Sequence, residues 1–180
     1  LSDVHGFNVS SVRFAIECAV YHLFSQIKSQ SIASFLNPNY LNLIRINAIY
    51  SEQSTIKLNN VNVLKIKINK FNIFDIKDKL DMIIPNYNRD IKLRLDFNEG
   101  LDLPRAIRVC KELASYNIDY IEQPLNRLNI NDFYDLRMAS DIPIAIDESL
   151  TDFISAESII EMQAADIFII KPMISGGFHE

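Results

Sequence analysis

The sequence predicts an α/β fold, a parallel sheet closing toward a (β/α)8 TIM-type barrel. Three observations carry this. Short apolar strands alternate with amphipathic stretches after Pro38, and that alternation means right-handed βαβ units. The strands alternate with period two and keep one polar face. Charged residues recur near the strand ends at intervals of 24–29 residues, close to one per βα unit.

Each element has a local reason. Ser10 or Ser11 can cap an opening helix over 10–30, where Val12, Ile16, Ala19, Val20 and Leu23 recur at helical spacing. Strands are predicted at 43–49, 63–69, 91–98, 120–125, 142–149 and 166–172, and helices at 75–84, 104–116, 130–140 and 153–164. Pro104 suits the first turn of its helix, and Ile107, Cys110, Leu113 and Ala114 form one stripe. The segment between the first two strands is short and polar, with no helix predicted.

Composition bounds the function. The chain has 180 residues, 48% hydrophobic and 23% charged, with a net charge of −5. That is a globular composition, too apolar for a disordered tail. No apolar run approaches the ~20 residues that span a bilayer. Mild acidity argues against nucleic-acid binding through bulk charge. The opening LSDVHGFNVS lacks the pattern of a signal peptide, so a cytoplasmic protein is expected. The length suits one domain of ~100–200 residues. The chain opens at Leu1 and stops at ISGGFHE after the sixth apparent strand. It reads as residues 1–180 of a longer protein, a partial barrel with its βα units over 43–180.

Parity along the strands points to a site. In 91–98, Ile91, Leu93, Leu95 and Phe97 alternate with Lys92, Arg94, Asp96 and Asn98. In 63–69, Leu64, Ile66 and Ile68 oppose Lys65 and Lys67; in 142–149, Ile144 and Ile146 oppose Ala145, Asp147 and Ser149. A parallel sheet covered by helices has no wet flat face, so the polar set must point into the barrel. Lys67, Asp96, Glu122, Asp147 and Lys171 lie toward the C-terminal strand ends, where barrel active sites form.

Three carboxylates that meet there need a cation, or one must take up a proton. An oxygen-only set suits Mg²⁺, with Mn²⁺ also suitable. A lysine near such a cation and another ammonium can act as a base. Singly, each element has a plainer reading. The KxK pair suits a solvated face, Asp147-Glu148-Ser149 a helix cap, Glu122 a turn, Asp96-x-Asn98 an Asx-turn, and Lys171-Pro172 a strand exit. Their joint spacing favours a site. Cys18 and Cys110 lack CxxC spacing, and His5, His22 and His179 form no metal motif. There is no P-loop and no GxGxxG.

These residues resemble the enolase superfamily, and within it the o-succinylbenzoate synthases of menaquinone biosynthesis. SVRFAIECAV is similar to the helix that opens the family's barrel domain. LKIKIN, LRLDFN, YIEQPL, IAIDESL and IIKPMISGG resemble its successive strand motifs. Lys171-Pro172 and Arg94 favour the synthases. The resemblance implies that Asp96, Glu122 and Asp147 hold Mg²⁺. It implies Lys67 as acid/base catalyst and Lys171 on the opposite substrate face, with Lys65, Arg94 and Asn98 in support. The implied reaction is a lyase step: α-proton removal from a small-molecule carboxylate, then loss of water. The same fold also hosts N-acylamino acid racemases and dipeptide epimerases, which use the same two lysines. A third alternative is a non-catalytic fragment or assembly module. Family members add an N-terminal capping domain and two further strands, which the resemblance does not cover here.

Overall fold

The computed structural model describes residues 9–52, 61–69, 72–87 and 90–179. His5 and most of the polar segment before the second strand lie outside the described residues. In chain order the elements are α1 (Ser10–Lys28), α2 (Ile32–Leu36), β1 (Ala48–Ile49), β2 (Val63–Lys67), α3 (Ile73–Ile83), β3 (Lys92–Asp96), α4 (Leu103–Leu113), β4 (Ile118–Glu122), α5 (Ile130–Met138), β5 (Ile144–Ile146), α6 (Phe153–Glu161), β6 (Ile167–Phe168) and α7 (Pro172–Ser175). They group into two compact units. The larger comprises Ile46–Leu150 and Glu157–Ile169; the smaller holds the described residues up to Arg45, Thr151–Ala156 and those from Ile170 on.

The larger unit is built on a six-stranded sheet in the order β1-β2-β3-β4-β5-β6, parallel at every pairing. This is the βα succession expected, a partial barrel-like sheet. Local chemistry sets its helices. Asn72 caps α3 by accepting from the Phe74 amide at 3.0 Å. Asp102 caps α4 by accepting from the Arg105 amide at 2.9 Å, with Pro104 in the first turn. Helix α3 buries Ile73, Ile76, Leu80 and Ile83; α4 buries Ala106, Val109, Cys110 and Leu113. These stripes pack with Leu64, Ile66, Leu93, Leu95, Ile121, Ile144 and Ile146 of the sheet, forming one core. The parity expected for β2, β3 and β5 is present, and the opposite sheet face carries the charges.

Several elements differ from expectation. The strands predicted at 142–149 and 166–172 shrink to Ile144–Ile146 and Ile167–Phe168, so Lys171 lies beyond β6, at the N-cap of α7, and not at a strand end. The short helices α2 and α7 lie outside the expected set. The strand predicted at 43–49 pairs only at Ala48 and Ile49, while Leu43, Ile44 and Ile46 are exposed. Among the described residues β1 pairs on one side only, so nothing extends its ladder. Strand β4 runs Ile118–Glu122, earlier than the expected 120–125, and carries a bulge: Leu93 pairs with Ile118 but Arg94 with Tyr120. Asp119 is the extra residue. Helix α1 ends at Lys28, short of the expected 30, because Ser29 turns left-handed, and its N-cap is Val9, with no side-chain cap from Ser10 or Ser11. Val12, Ala19 and Leu23 of its expected stripe are exposed. The side chains that do pack are Phe14, Glu17 and Tyr21, which meet the segment after α7.

The turn after α4 is tied down by Tyr116, whose hydroxyl donates to Asp81 Oδ1 of α3 at 2.8 Å. Burial first, then that bond and the charges of Asp81 and Asp78, push its pKa from 10.0 up to about 12. A phenol raised in the folded state contributes stability that is complete below the unfolded pKa of 10.0 and is lost as pH rises through about 12. Tyr116→Phe should therefore flatten the fall in melting temperature across that window. Ultraviolet titration of the wild type should show one phenol ionising late. An unchanged alkaline slope in the variant would contradict the assignment.

Candidate active site

In-register pairing assembles the site. Lys67 pairs with Asp96, Asp96 with Glu122, and Glu122 with Ala145. Three ionisable side chains thus line up at the C-terminal ends of β2, β3 and β4. Asp147 follows β5 by one residue and lies one pleat beyond this row, since Ala145 fills the registered position. All three carboxylates are buried: Glu122 is 0% exposed, Asp147 5% and Asp96 7%.

Lys65 stands one pleat before Lys67 on the same face. Its Nζ donates to Glu122 Oε1 at 2.7 Å and lies 3.0 Å from Asp96 Oδ2. Burial works against its charge, yet hydrogen bonds and attraction from Glu122 and Asp96 prevail and raise its pKa. Glu122 is also raised: burial is the main cause, opposed by Lys65 and reinforced by repulsion from Asp96 and Asp147. Its second oxygen, Oε2, is buried with no hydrogen-bond partner.

Gln123 holds the strand ends together. It is fully buried, at a positive φ of 38°. Its Oε1 accepts from the Asp147 amide at 2.8 Å and the Ser149 amide at 3.3 Å. Its Nε2 donates to Ser149 Oγ at 2.7 Å and the Leu125 carbonyl at 3.1 Å. Asn98 and Glu99, after β3, also have positive φ, 42° and 64°, a conformation that gathers at functional loops. Asn98 donates to Glu148 Oε1 at 3.0 Å. Glu99 receives the Arg127 guanidinium in a fork at 2.6 and 3.0 Å.

The other predicted residues fall in different places. Lys67 ends β2 and is exposed; its carbonyl accepts from Lys79 Nζ at 3.1 Å. Arg94 donates to Asp119 Oδ2 and to Asn47 Oδ1, each at 2.9 Å, and its guanidinium lies 4.9 Å from the Tyr120 ring centre. That is a structural employment for the residue expected in support. Lys171 belongs to the smaller unit, at the N-cap of α7, with Pro172 opening the helix. Sequence reasoning missed Gln123, Asp119 and Glu17. Only Gln123 left a signal there, a polar residue between Glu122 and Pro124 with no solvated role.

Among the described residues, no group of three or more His, Cys, Asp or Glu is arranged to hold a metal ion. Two carboxylates instead share the Lys65 ammonium. The donor set nonetheless fits a hard divalent cation, being oxygen-only, buried and, at Glu122 Oε2, unpartnered. Among the described residues, no helix is long and apolar enough to cross a membrane.

A sequential parallel sheet with a carboxylate row at its C-terminal edge defines the barrel class of α/β enzymes. The chain belongs to the enolase C-terminal domain-like family, which matches residues 52–180. It is 28% identical over 186 residues to the D-Ala-D/L-Ala epimerase of Cytophaga hutchinsonii, covering 98% of this chain and 50% of that protein. It is 39% identical over 85 residues to muconate cycloisomerase 1 of Pseudomonas putida, covering 47% of this chain and 23% of that one. The crystal structure of the dipeptide epimerase from Cytophaga hutchinsonii, complexed with Mg and D-Ala-L-Val, has a TM-score of 0.83 to this chain at 28% identity. That match covers 95% of this chain and 49% of the epimerase. The chain spans about half the length of such relatives. They support the superfamily reading and favour the epimerase alternative over the synthase.

Lys65→Met should leave Asp96 and Glu122 facing each other uncompensated. The metal-free protein should lose stability, at the lower end of the about 3–5 kcal/mol seen when one partner of a buried pair is removed, since Lys65 keeps partial exposure. Urea denaturation checks this. A variant as stable as wild type would mean the bridge contributes nothing.

Proposed function

We propose that the protein acts as a Mg²⁺-dependent epimerase at the α-carbon of a dipeptide or N-acylamino acid. The single observation that carries the reading is the registered row ending in a buried, half-satisfied Glu122 beside Asp96. The likeness to a dipeptide epimerase over 95% of the chain supports the substrate class. In this reading Asp96, Glu122 and Asp147 hold the cation, and Mn²⁺ would also suit them. The bound cation would supply Lewis-acid stabilisation of the charge that builds on the substrate carboxylate.

The chain's own residues then do the following. Lys67, as a neutral amine, takes the α-proton from one face, and the C–H bonding pair stays with the substrate. Lys171, as an ammonium, returns a proton to the other face, and the configuration inverts. In the reverse direction the two exchange roles. Lys65 stays protonated and compensates the acidic pair. Gln123 fixes the Asp147 peptide.

The dehydratase reading, o-succinylbenzoate synthase in menaquinone biosynthesis, uses the same lysines and adds departure of a hydroxyl group. It drew on Lys171-Pro172 and Arg94. Pro172 has a structural use in opening α7, and Arg94 is engaged by Asp119. Epimerisation is therefore our first reading.

Incubation with Ala-containing dipeptides and Mg²⁺ in heavy water should give inverted product labelled at the α-carbon. Lys67→Ala and Lys171→Ala should each lower epimerisation by ~10²–10⁴-fold, each while sparing exchange on the opposite face. Near-full turnover in either variant would overturn the assignment. Calorimetry with Mg²⁺ should show one site, weakened by Asp147→Asn; equal affinity in that variant would remove Asp147 from the set.

A further inference from the structure

We propose that Glu17, assisted by Arg13, is a positioning residue for Lys171. The proposal rests on the reading of Lys171 as the base of the second face.

Residues 171–177 form one hydrogen-bonded cassette within the smaller unit. The Lys171 carbonyl accepts from the Ile174 amide at 2.8 Å, the Ser175 amide at 3.1 Å and Ser175 Oγ at 3.3 Å. The chain then turns back through Gly176 and Gly177, whose amides both donate to the Pro172 carbonyl, at 3.0 and 2.8 Å. Their φ values, 114° and 131°, lie where side-chain-bearing residues are strained. Lys171 therefore moves with this turn.

The cassette hangs from α1 by two charge-assisted bonds. Glu17 Oε2 accepts from the Phe178 amide at 2.6 Å, and Arg13 Nε donates to the Gly176 carbonyl at 2.5 Å. The Phe178 ring meets Phe14 and Tyr21 edge-on, with centroids 5.2 and 5.6 Å apart. A Cβ on Gly177 would run into the Glu17 carboxylate. Glu17 is 4% exposed, and it is the buried residue of a helix otherwise half-buried or exposed. An apolar side chain would anchor the segment without the desolvation that a carboxylate incurs. What the carboxylate adds is direction: it accepts from one defined amide and so fixes the turn that carries Lys171.

The test compares the full chain with Glu17→Leu and Glu17→Gln by α-deuterium exchange. Each face is assigned from the Lys67→Ala and Lys171→Ala variants, and thermal unfolding is followed in parallel. Glu17→Leu should slow exchange on the Lys171 face about 10- to 100-fold, the effect of a small misplacement, and leave the Lys67 face unchanged. Glu17→Gln keeps an oxygen for the Phe178 amide and should recover most of the rate. If Glu17→Leu fails to fold, Arg13→Gln makes the same comparison through the other bond. Equal slowing on both faces, or none on either, overturns the proposal while leaving the two-lysine reading intact. Exchange on one face only in the wild type, or on neither, removes that reading and this proposal with it.

Discussion

The Lys65 ammonium between Glu122 and Asp96 is the contact on which the rest of the site depends. Parallel pairing in register forces like charges into one row at the sheet's end. Burial deprives them of water, and Glu122 responds with a raised pKa. A cation must stand nearby, and the strand that brings Lys67 to the row brings Lys65 one pleat earlier. The sheet thus carries its own counter-ion, and the acidic pair can remain packed against a core that would otherwise oppose it.

Much of this was legible because it is local. Period-two alternation is written in each strand, so Leu93 and Leu95 going to the core already sends Arg94 and Asp96 to the other face. The βα interval placed the carboxylates on successive strands. What could not be read depends on neighbours. The bulge at Asp119 exists only relative to β3, and so does the bond it makes to the Arg94 guanidinium. Asp147 sits a pleat beyond the row because register is a property of two strands, not of one.

Helix α1 shows a second limit. Its apolar spacing pointed to a stripe through Val12, Ile16 and Leu23, the usual signature of an amphipathic helix. Its partner, however, is the turn after α7, which presents the Phe178 ring together with backbone groups that need hydrogen-bond partners. The matching residues are Glu17 and Arg13, which a hydrophobic pattern discards as solvated. Gln123 escaped notice for the same reason. Its partners include the Asp147 and Ser149 amides just after β5, two dozen residues on, and no side-chain pattern announces them.

The two lysines of β2 separate by position rather than by kind. Lys65, one pleat inward, is held by two carboxylates and stabilised as an ammonium. A group so committed is a poor proton acceptor, because taking a proton requires first losing one against both anions. Lys67 ends the strand, exposed, in register with Asp96. A single strand can therefore supply a cation held by two carboxylates and, two residues later, an exposed lysine with a different environment. The period-two geometry that puts both on one face also keeps them a pleat apart, so the first can neutralise the acidic pair without displacing the second.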